Sequence, residues 1–529
     1  MFLTKFPKKY RGPMLARAFT RTPEQVLKNY KLTTGFEIHC QMLTETKLFS
    51  NAPTKSNDLS NSCASFVDVA LPGMLPVLNK ECLKVALKAS LALKGDINKK
   101  DGYEIRFDRK HYFYPDMPQG YQITQKEHPI MENGYLRFYN RLKKEDKIGI
   151  ERIQIEQDSA KSFHDFHNYS GIDYNRAGSA LLEIVTFPEI HHPIDARIVV
   201  RELQETLKYL NISTANMEEG QMRCDVNISL RHRFDSEKFG NRVELKNLQG
   251  IKFIEKAIES EIVRQATIID SGGYVPLQTR RYDVDKNETI LLREKEDDLD
   301  YRFMYDPDLP SYFITPEMIS EAEEQISSVP FDEKKKLSDK FGLTVDQAQT
   351  VFSYPELYDY FMETLIQLNE IVDPQLVYNY IFSIFIGNCT KKNLTNFKFK
   401  IDQCKTKGND RLIELMLLQV EDKISFSHAK MVLYEIIDGD KRSSFNIAKD
   451  SGFIKNENTS IEDINAVIDK ILEEKQDIVE KLRAENRSNK RKKKLGPIMF
   501  LVGQAMRVLK ADGDPQYVQE YIRKKVLGK

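Results

Sequence analysis

Four short segments of the chain alternate apolar residues with acids, amides, a histidine and cations. Their polar positions are Glu37 and His39 in GFEIHCQ, Glu156 and Asp158 in RIQIEQD, Asp225 and Asn227 in MRCDVNISL, and Glu244 and Lys246 in RVELK. Successive side chains of a strand point to opposite faces, so each segment offers one apolar and one polar face. An exposed sheet face would explain any single segment. Together they favour a site for Mg²⁺ and phosphate, because Mg²⁺ prefers oxygen ligands and cations neutralise a transferring phosphoryl group.

The usual motifs of nucleotide chemistry are missing from the sequence. The chain contains neither G-x-x-x-x-G-K-[ST] nor G-x-G-x-x-G, so neither a P-loop nor a Rossmann site accounts for a nucleotide here. It also lacks the G-x-S-x-G elbow, and hydrolysis by an activated serine is therefore unsupported. Chemistry on an acid-lined sheet is the hypothesis that is left.

Length, charge and cysteine content narrow the class of protein. A chain of 529 residues is too long for one hydrophobic core, and about two to four domains are expected. The formal net charge is zero, so any surface that binds nucleic acid must be local. The six cysteines form no C-x-x-C pair, which argues against a disulfide framework and a thiolate zinc site. No apolar run approaches the roughly 20 residues that span a bilayer, and no membrane insertion is expected.

The elements that must position the polar side chains change in character along the chain. From Thr34 to about Pro310, short alternating segments separated by Gly, Pro and Asn predict strands. Two helices interrupt them, one over Asn79–Lys94 with Asn79 as its N-cap, and one over Ile251–Ile269. From about Thr315, helical periodicity replaces the strands. The predicted domains are a leader (1–30), a strand-rich catalytic domain (31–314), a helical domain (315–459) and a small helical tail module (460–529).

Two basic segments stand out in this neutral chain. Residues 1–23 contain six lysines and arginines and no acid, which is typical of an organellar transit peptide; a disordered basic tail is the alternative. The run RSNKRKKK at 487–494 places six cations within eight residues. It is either a solvated loop between two helices, a contact to a phosphate backbone, or a nuclear or ribosomal address.

Several long strings occur in one order along the chain. They are GFEIHCQ with TKLFS (35–50), LPGMLPVLN (71–79), FDRKHYFYPDMPQGYQITQ (107–125), DYNRAGSALLEIV (173–185), NMEEGQMRCDVNIS (216–229), ELKNLQGIKFIEKAIESEIVRQ (244–265), DYRFMYDPDLP (300–310) and LGPIMFLVGQAMRVLKADGDP (495–515). In these strings the chain resembles the family of B subunits of glutamyl-tRNA(Gln)/aspartyl-tRNA(Asn) amidotransferase.

The resemblance implies a fold, a reaction and partners. The fold is α+β: a glutamine-synthetase-like catalytic cradle with a mixed or antiparallel sheet, then a helical domain and a tail module that holds tRNA. In the reaction, a partner amidase subunit of the A type releases ammonia from glutamine. The B subunit uses ATP and Mg²⁺ to phosphorylate the side chain of glutamate mischarged on tRNA(Gln), and ammonia displaces the phosphate. A small linking subunit, of the C type or a lineage-specific replacement, completes the complex.

The resemblance also assigns roles to residues. The metal ligands that it implies are Glu37, His39, Glu156, Asp225 and Glu244. Because histidine is an unusual ligand of Mg²⁺, His39 either binds the ion or orients a carboxylate or water. Contacts to phosphate and carboxylate groups are expected from Lys110, Arg176, Arg223 and Lys246. Contacts to ATP are expected from Tyr112, Tyr114, Asp158, Lys161 and Asn227. Tyr112, Tyr114 and Tyr121 either stack on a nucleobase or pack beneath their loop.

The chain departs from the family pattern at two places. Where many members have I-H-L-E-E-D-A-G-K, residues 153–161 are IQIEQDSAK, so Gln154 and Gln157 replace a histidine and a glutamate, and Ala160 a glycine. This strand therefore supplies either one or two metal ligands, and Glu156 ranks above Gln157. Only Cys63 stands where many members have two cysteine pairs, so the zinc knuckle is absent.

Three interpretations stay open at this point. The first is an ATP-dependent transamidation subunit that needs its amidase partner. The second is a tRNA-binding scaffold that has lost catalysis, which the glutamine replacements permit. Retention of Glu37, Asp225 and Glu244 favours catalysis. The third is the aspartate/asparagine version of the same enzyme. With its transit-like leader, the chain is expected to work in the mitochondrial matrix.

Overall fold

The computed structural model of this chain describes most of its residues. The described ranges are 21–55, 59–97, 104–164, 168–234, 240–294, 300–368, 370–406, 409–455, 460–487, 495–509, 513 and 515–527. The first twenty residues of the predicted leader and residues 488–494 of the basic run lie outside these ranges. Within them the chain forms two compact units, residues 1–333 and 334–529.

Strands dominate the first unit. They are β1 (Tyr30–Gln41), β2 (Glu104–Ile105), β3 (Asp108–His111), β4 (Tyr121–Thr124), β5 (Met131–Tyr139), β6 (Glu145–Gln157), β7 (Lys161–Phe163), β8 (Gly171–Asp173), β9 (Ala180–Thr186), β10 (Met222–His232), β11 (Val243–Lys246), β12 (Gln278–Asp283), β13 (Glu288–Glu294), β14 (Met304–Tyr305) and β15 (Tyr312–Phe313), with β16 (Lys405–Thr406) and β17 (Asn409–Asp410) in the second unit.

One large mixed sheet organises this unit. In the described residues its strand order is β13-β12-β11-β10-β1-β9-β6-β5, and neighbours are antiparallel except for the parallel pair β11 and β12. A smaller sheet has the order β14-β3-β4. Along β1 the apolar positions Phe36, Ile38 and Cys40 are buried, as strand alternation predicts. The carboxylates, amides and His39 lie on the opposite face of the strands.

The helices of the first unit cover the apolar face and the ends of the sheet. They are α1 (Pro23–Asn29), α2 (Lys80–Ala92), α3 (Pro193–Tyr209), α4 (Ile251–Asp270), α5 (Pro316–Glu324) and α6 (Pro330–Phe341), whose last residues belong to the second unit. The prediction of Asn79 as an N-cap is confirmed, because its side chain accepts a 3.0 Å hydrogen bond from the backbone N–H of Glu81. Helices α3 and α4 pack on each other, and their apolar residues join one core with those of the sheet.

The second unit is mainly helical. Its helices are α7 (Val345–Phe352), α8 (Pro355–Gln367), α9 (Pro374–Tyr378), a π-helical segment (Asn379–Phe385), α10 (Ile386–Lys391), α11 (Phe397–Cys404), α12 (Arg411–Val420), α13 (Phe426–Asp438), α14 (Ser444–Asp450), α15 (Ile461–Glu474), α16 (Gln476–Arg487), α17 (Leu495–Leu509) and α18 (Pro515–Leu527). The buried residues of α15–α18 form a cluster of their own, separate from the cluster of the preceding helices.

Two observed boundaries differ from the predicted ones. Residues 23–30, placed in the leader by the sequence, form α1 and the start of β1, and Val26 is buried in the core of the first unit. That unit also extends beyond the predicted limit at 314, because Ala322, Val329 and Phe331 join its core. The sequence becomes helical in pattern before the core of the first unit ends. The change in pattern therefore placed the predicted limit too early.

Two predicted absences can be compared with the described residues. All six cysteines are buried, and none forms a disulfide. No helix in the described part of the chain is long and apolar enough to cross a membrane.

Candidate active site

The register of the large sheet brings the polar side chains of different strands into one row. β1 lies between β9 and β10, which places Glu37 opposite Asp225 and His39 opposite Glu183. On the neighbouring pairs, Gln154 of β6 lies opposite Glu183, and Asn227 of β10 lies opposite Glu244 of β11. Residues that are directly opposite share a face of the sheet. Acids predicted from separate segments therefore meet on one surface.

One end of this row consists of His39, Glu156 and Glu183, here called the histidine group. The Nε2 atom of His39 lies 3.4 Å from Oε2 of Glu156 and 3.9 Å from Oε2 of Glu183. One potential ligand atom from each of the three residues lies within 4.8 Å of the others. Both carboxylates are buried. Such an arrangement of one imidazole and two carboxylates can hold a divalent cation.

Neutral side chains surround the carboxylates of the histidine group. Thr124 donates its hydroxyl to Oε1 of Glu156 at 2.5 Å, and Gln122 donates its amide to Oε2 of Glu156 at 3.2 Å. Both donors come from β4 of the smaller sheet, which packs against β6. A buried carboxylate must be hydrogen-bonded or paired to be tolerated, and these contacts meet that need without a cationic side chain.

The pKa values of the histidine group reflect burial and the close approach of its three side chains. Burial alone would lower the pKa of His39, but the hydrogen bond to Glu156 and the charges of Glu183 and Glu156 outweigh it, so the pKa is raised. Burial opposes ionisation of Glu156, yet its contacts with His39 and the charge of Lys110 hold its pKa below the ordinary value. Burial and the charge of Glu156 raise the pKa of Glu183. Glu183 thus favours a proton where a bound cation would favour the carboxylate.

The other end of the row contains a lysine that pairs with two of its three carboxylates. This lysine group consists of Glu37, Asp225, Asn227, Glu244 and Lys246. The ammonium of Lys246 lies 2.5 Å from Oδ2 of Asp225 and 3.1 Å from Oε1 of Glu244. Burial would lower the pKa of Lys246, but the charges of Asp225 and Glu244 raise it, so the side chain stays charged. Asn227 donates its amide to Oε1 of Glu37 at 2.8 Å.

Both groups line a single cavity of about 840 Å³ on the polar face of the sheet. Its cationic lining residues are Lys110, Lys126, Arg152, Arg242, Lys246 and Arg293. The ammonium of Lys110 lies 4.9 Å from the ring centroid of Tyr301, and Tyr301 and Phe303 add an aromatic wall. Carboxylates next to cations and aromatic rings suit a substrate that carries phosphates and a nucleobase.

Eight of the fourteen residues predicted for the site line this cavity. They are Glu37, His39, Lys110, Glu156, Asp225, Asn227, Glu244 and Lys246. The structure thus brings together all five predicted metal ligands, two of the four predicted phosphate contacts and one of the five predicted ATP contacts. Whether they perform those roles stays a prediction.

Three further predicted residues meet at a different place. Asp158 is buried and pairs with Arg223 at 3.0 Å and with Arg176 at 3.5 Å. Arg176 also donates to the backbone carbonyls of Ser159 and Ala160, at 2.9 and 2.8 Å. Each guanidinium is therefore paired with Asp158 while its side chain stays 38% (Arg176) or 43% (Arg223) exposed, and neither arginine is among the lining residues of the main cavity. Asp158 lines a second cavity of about 370 Å³.

The remaining predicted residues also lie outside the lining of the main cavity. Tyr112 is partly buried and its ring lies 5.8 Å from that of Tyr114, which is 61% exposed. Lys161 places its ammonium 4.7 Å from the ring centroid of Phe163. Tyr121 stacks under the guanidinium of Arg109 at 4.1 Å. Tyr121 also lines the second cavity, and both alternatives predicted for its ring stay open; the aromatic residues that line the main cavity are Tyr301 and Phe303.

Glu183 is the main residue that the sequence-based prediction missed. It lies in β9, whose seven residues are all buried, within the string ALLEIVT. A carboxylate in an otherwise apolar, fully buried strand is unusual unless it is paired or binds an ion. This isolated acid is visible in the sequence. Strand periodicity did not identify it, because apolar and polar residues do not alternate around Glu183.

Comparison with known proteins identifies the family of this chain. Residues 32–320 match the family model described as the GatB/GatE catalytic domain, and residues 359–526 match the one described as the GatB domain. Three similar proteins are each named as the B subunit of an aspartyl/glutamyl-tRNA(Asn/Gln) amidotransferase. That of Coxiella burnetii (strain CbuG_Q212) is 37% identical over 493 residues, which cover 93% of this chain and 98% of the relative.

The two other relatives come from different bacteria. The protein of Pseudomonas paraeruginosa (strain DSM 24068 / PA7) is 37% identical over 495 residues, 93% of this chain and 98% of its own length. The protein of Rickettsia canadensis (strain McKiel) is 37% identical over 493 residues, 93% of this chain and 96% of its own length. The two domain matches and this extent of similarity mean that the chain belongs to the GatB family of tRNA amidotransferase components.

Proposed function

We propose that this chain activates the side-chain carboxylate of glutamate carried on tRNA(Gln) by phosphorylating it with ATP, and then directs its amidation to glutaminyl-tRNA(Gln). The observation that carries the proposal is the single cavity in which the histidine group, the lysine group and five further cationic side chains meet. The activity belongs to the ligases that form a carbon–nitrogen bond with glutamine as amide donor. A glutamine-synthetase-like cradle stays our prediction for the fold class.

The reaction has two steps. A carboxylate oxygen attacks the γ-phosphorus of ATP, the bond from that phosphorus to the β,γ-bridging oxygen breaks, and ADP leaves. Ammonia then attacks the acyl carbon, the bond from this carbon to the phosphate oxygen breaks, and the surplus proton leaves with phosphate or solvent. Phosphorylation is needed because the free carboxylate would have to expel oxide, whereas the acyl phosphate expels phosphate.

The histidine group fits the divalent cation that such a step requires. Its donors are two carboxylates and one imidazole that approach within 4.8 Å of one another. Burial and the charge of Glu156 raise the pKa of Glu183, and a bound cation would favour its carboxylate form. We propose that His39, Glu156 and Glu183 hold Mg²⁺, with Glu37 of the neighbouring group as a further carboxylate. When bound, Mg²⁺ neutralises charge on the phosphates of ATP.

The chain's own cations have separate tasks. Lys246, fixed by Asp225 and Glu244, supplies a positive charge whose position does not depend on the nucleotide. Lys110 lies beside Tyr301 and within electrostatic reach of Glu156, where it can meet the phosphoryl group or the substrate carboxylate. Asp158, Arg176 and Arg223 form a separate ion-pair cluster. In this proposal that cluster stabilises the edge of the site instead of touching substrate.

Partners and location extend the proposal. The sequence contains no serine nucleophile motif for glutamine hydrolysis, so ammonia would come from an A-type amidase subunit, with a small linking subunit completing the complex. We further propose that the complex works in the mitochondrial matrix, on the basis of the acid-free basic start of the sequence. Processing of a purified organellar sample would test this: an N-terminus still at Met1 inside the organelle would contradict a cleaved leader.

The tail module formed by α15–α18 is proposed to hold tRNA. Deleting residues 495–529 removes two of its four helices, and it should weaken tRNA binding at least tenfold, an order-of-magnitude estimate for losing several phosphate contacts. Binding is measured by filter retention of labelled tRNA(Gln), and glutamine hydrolysis by the assembled complex serves as the control. Equal loss of both activities would indicate a folding defect and contradict the assignment.

The direct test uses the purified complex with glutamate-charged tRNA(Gln), ATP, Mg²⁺ and glutamine. Asp225→Ala should lower formation of glutaminyl-tRNA(Gln) about a hundredfold, as expected for losing one electrostatic contact, while the amidase still hydrolyses glutamine. If Asp225→Ala left glutaminyl-tRNA formation intact while a mutation in the amidase abolished it, the site assignment would be wrong. Because the relatives are named for aspartyl and glutamyl tRNAs, aspartate-charged tRNA(Asn) is run in parallel. A preference for it would change the substrate but not the chemistry.

A further inference from the structure

Gln154 is a buried amide at the centre of the histidine group. Its Nε2 atom donates to Oε2 of Glu183 at 2.7 Å and lies 3.3 Å from Oε1 of Glu156. The same nitrogen lies 3.2 Å from the hydroxyl of Thr124, which itself donates to Glu156. On its other side, Oε1 of Gln154 accepts a hydrogen bond from Nε of Arg152 at 2.9 Å.

These partners decide which way the amide points. Rotating it by half a turn would place its oxygen against two carboxylates and its NH₂ against a guanidinium, and these three contacts would be repulsive. The nitrogen therefore faces Glu156 and Glu183. The oxygen, which is the only atom of this side chain that could bind a hard cation, is directed away and engaged by Arg152. Gln154 is placed to hold ligands and not to be one.

We infer that Gln154 is a positioning residue, which ties the carboxylates of Glu156 and Glu183 to Arg152 and so fixes them for a divalent cation. The inference rests on the proposed function of the histidine group as the Mg²⁺ site. An amide is suited to this task because it supplies two N–H donors and no charge. A cationic side chain in the same place would compete with the metal for the carboxylates.

The position of Arg152 gives this contact a second consequence. Arg152 lines the main cavity, its side chain is 21% exposed, and it also pairs with Glu151. A phosphate that reaches Arg152 in the cavity meets the side chain that orients Gln154. Arg152 lies at the wall where an anionic substrate would bind. Through Gln154 it therefore also influences the orientation of Glu156 and Glu183, the carboxylates that would hold the metal.

The test measures metal binding by the assembled complex, with Mn²⁺ as the probe, by titration in an electron paramagnetic resonance spectrometer. Gln154→Ala should raise the dissociation constant for Mn²⁺ by about 10- to 100-fold, the usual effect of removing a group that orients a metal ligand. Gln154→His, which keeps one N–H donor, should recover part of this loss. Saturating metal should restore most of the turnover of Gln154→Ala, because only the positioning of the ligands is impaired.

A matched control is available on α4. Gln265 is also a buried amide, and it donates to the buried carboxylate of Glu261 at 2.8 Å, outside the cavity. Gln265→Ala should therefore cost stability to a similar degree and leave the Mn²⁺ dissociation constant unchanged. Thermal unfolding of both variants compares the two structural losses.

The outcomes separate this inference from the proposed function. If the wild-type complex binds Mn²⁺ and Gln154→Ala binds it equally well, Gln154 does not position the ligands, while the metal assignment stands. An equal loss of affinity in Gln154→Ala and Gln265→Ala would likewise reduce the role of Gln154 to general stability. If the wild-type complex forms glutaminyl-tRNA but binds no Mn²⁺ or Mg²⁺, the metal assignment is overturned and this inference with it.

Discussion

The two ends of the polar row answer the same problem in opposite ways. Each places carboxylates side by side on one sheet, where their mutual repulsion must be offset. In the lysine group, the ammonium of Lys246 pairs with both Asp225 and Glu244. In the histidine group, the hydrogen-bonding neighbours are amides, a hydroxyl and one imidazole, and burial together with the charge of Glu156 raises the pKa of Glu183.

The two groups differ because the lysine group contains a lysine of its own and the histidine group does not. The lysine group contains a cation of its own, Lys246, whose charge does not depend on a bound ligand. The histidine group contains no lysine or arginine, and a proton or a metal ion would reduce the repulsion between Glu156 and Glu183. We infer from this contrast that the metal enters at His39, Glu156 and Glu183, and that Lys246 supplies the constant positive charge across the cavity.

The largest expected effect follows from removing a carboxylate of the histidine group. Glu156→Gln keeps the shape of the side chain but removes its negative charge, so glutaminyl-tRNA formation should fall by about a thousandfold, equivalent to several kcal/mol of lost stabilisation. Single-turnover formation of glutaminyl-tRNA(Gln) measures it. Glu261→Gln, in a buried carboxylate outside the cavity, is the control for folding. A loss below tenfold for Glu156→Gln would place the metal elsewhere.

A smaller effect is expected in the lysine group. Lys246→Met removes the fixed cation and should lower turnover about a hundredfold, typical of losing one electrostatic contact to the transition state. It also leaves Asp225 and Glu244 without their ammonium, so a second, weaker Mn²⁺ ion should bind. Lys246→Arg should retain more activity and should not gain that ion. Full activity of Lys246→Met would show that the two ends do not differ as described.

The smallest expected effect concerns Asn227, which supports a carboxylate without charge. Asn227→Ala removes the 2.8 Å hydrogen bond to Glu37, and about a tenfold loss of turnover is expected, since a hydrogen bond to a charged group contributes roughly 1.5–3 kcal/mol. Titration of activity with Mg²⁺ shows whether the loss is in metal affinity. A loss as large as that of Glu156→Gln would make Glu37 a primary ligand and shift the metal toward the centre of the row.

Much of the frame of this site could be predicted from the sequence. Alternation placed Phe36, Ile38 and Cys40 in the core and their neighbours Glu37 and His39 on the polar face, and the structure confirms that division. The helix expected over Asn79–Lys94 is observed over Lys80–Ala92. Local patterns suffice here because strand alternation and N-capping depend on near neighbours.

The details that depend on distant contacts could not be obtained in this way. The donors Gln122 and Thr124 reach Glu156 from another sheet, more than thirty residues away in sequence. Glu183 lies in a strand buried on both faces, where periodicity carries no signal. Arg176 and Arg223 were assigned to phosphate contacts through the family resemblance, which does not show that both pair with Asp158. The choice of partner for a long cationic side chain is set by tertiary packing, which motif order does not show.

The most direct test of carboxylate activation by phosphorylation follows an oxygen atom from the substrate into phosphate. Glutamate labelled with ¹⁸O in its side-chain carboxylate is charged onto tRNA(Gln), and the complex converts it with ATP, Mg²⁺ and glutamine. Because the acyl phosphate carries one carboxylate oxygen into phosphate, one ¹⁸O atom per turnover should appear in inorganic phosphate. Glu156→Gln should abolish this transfer while glutamine hydrolysis continues. Inorganic phosphate free of ¹⁸O in a complex that still makes glutaminyl-tRNA would contradict activation of the carboxylate by phosphorylation.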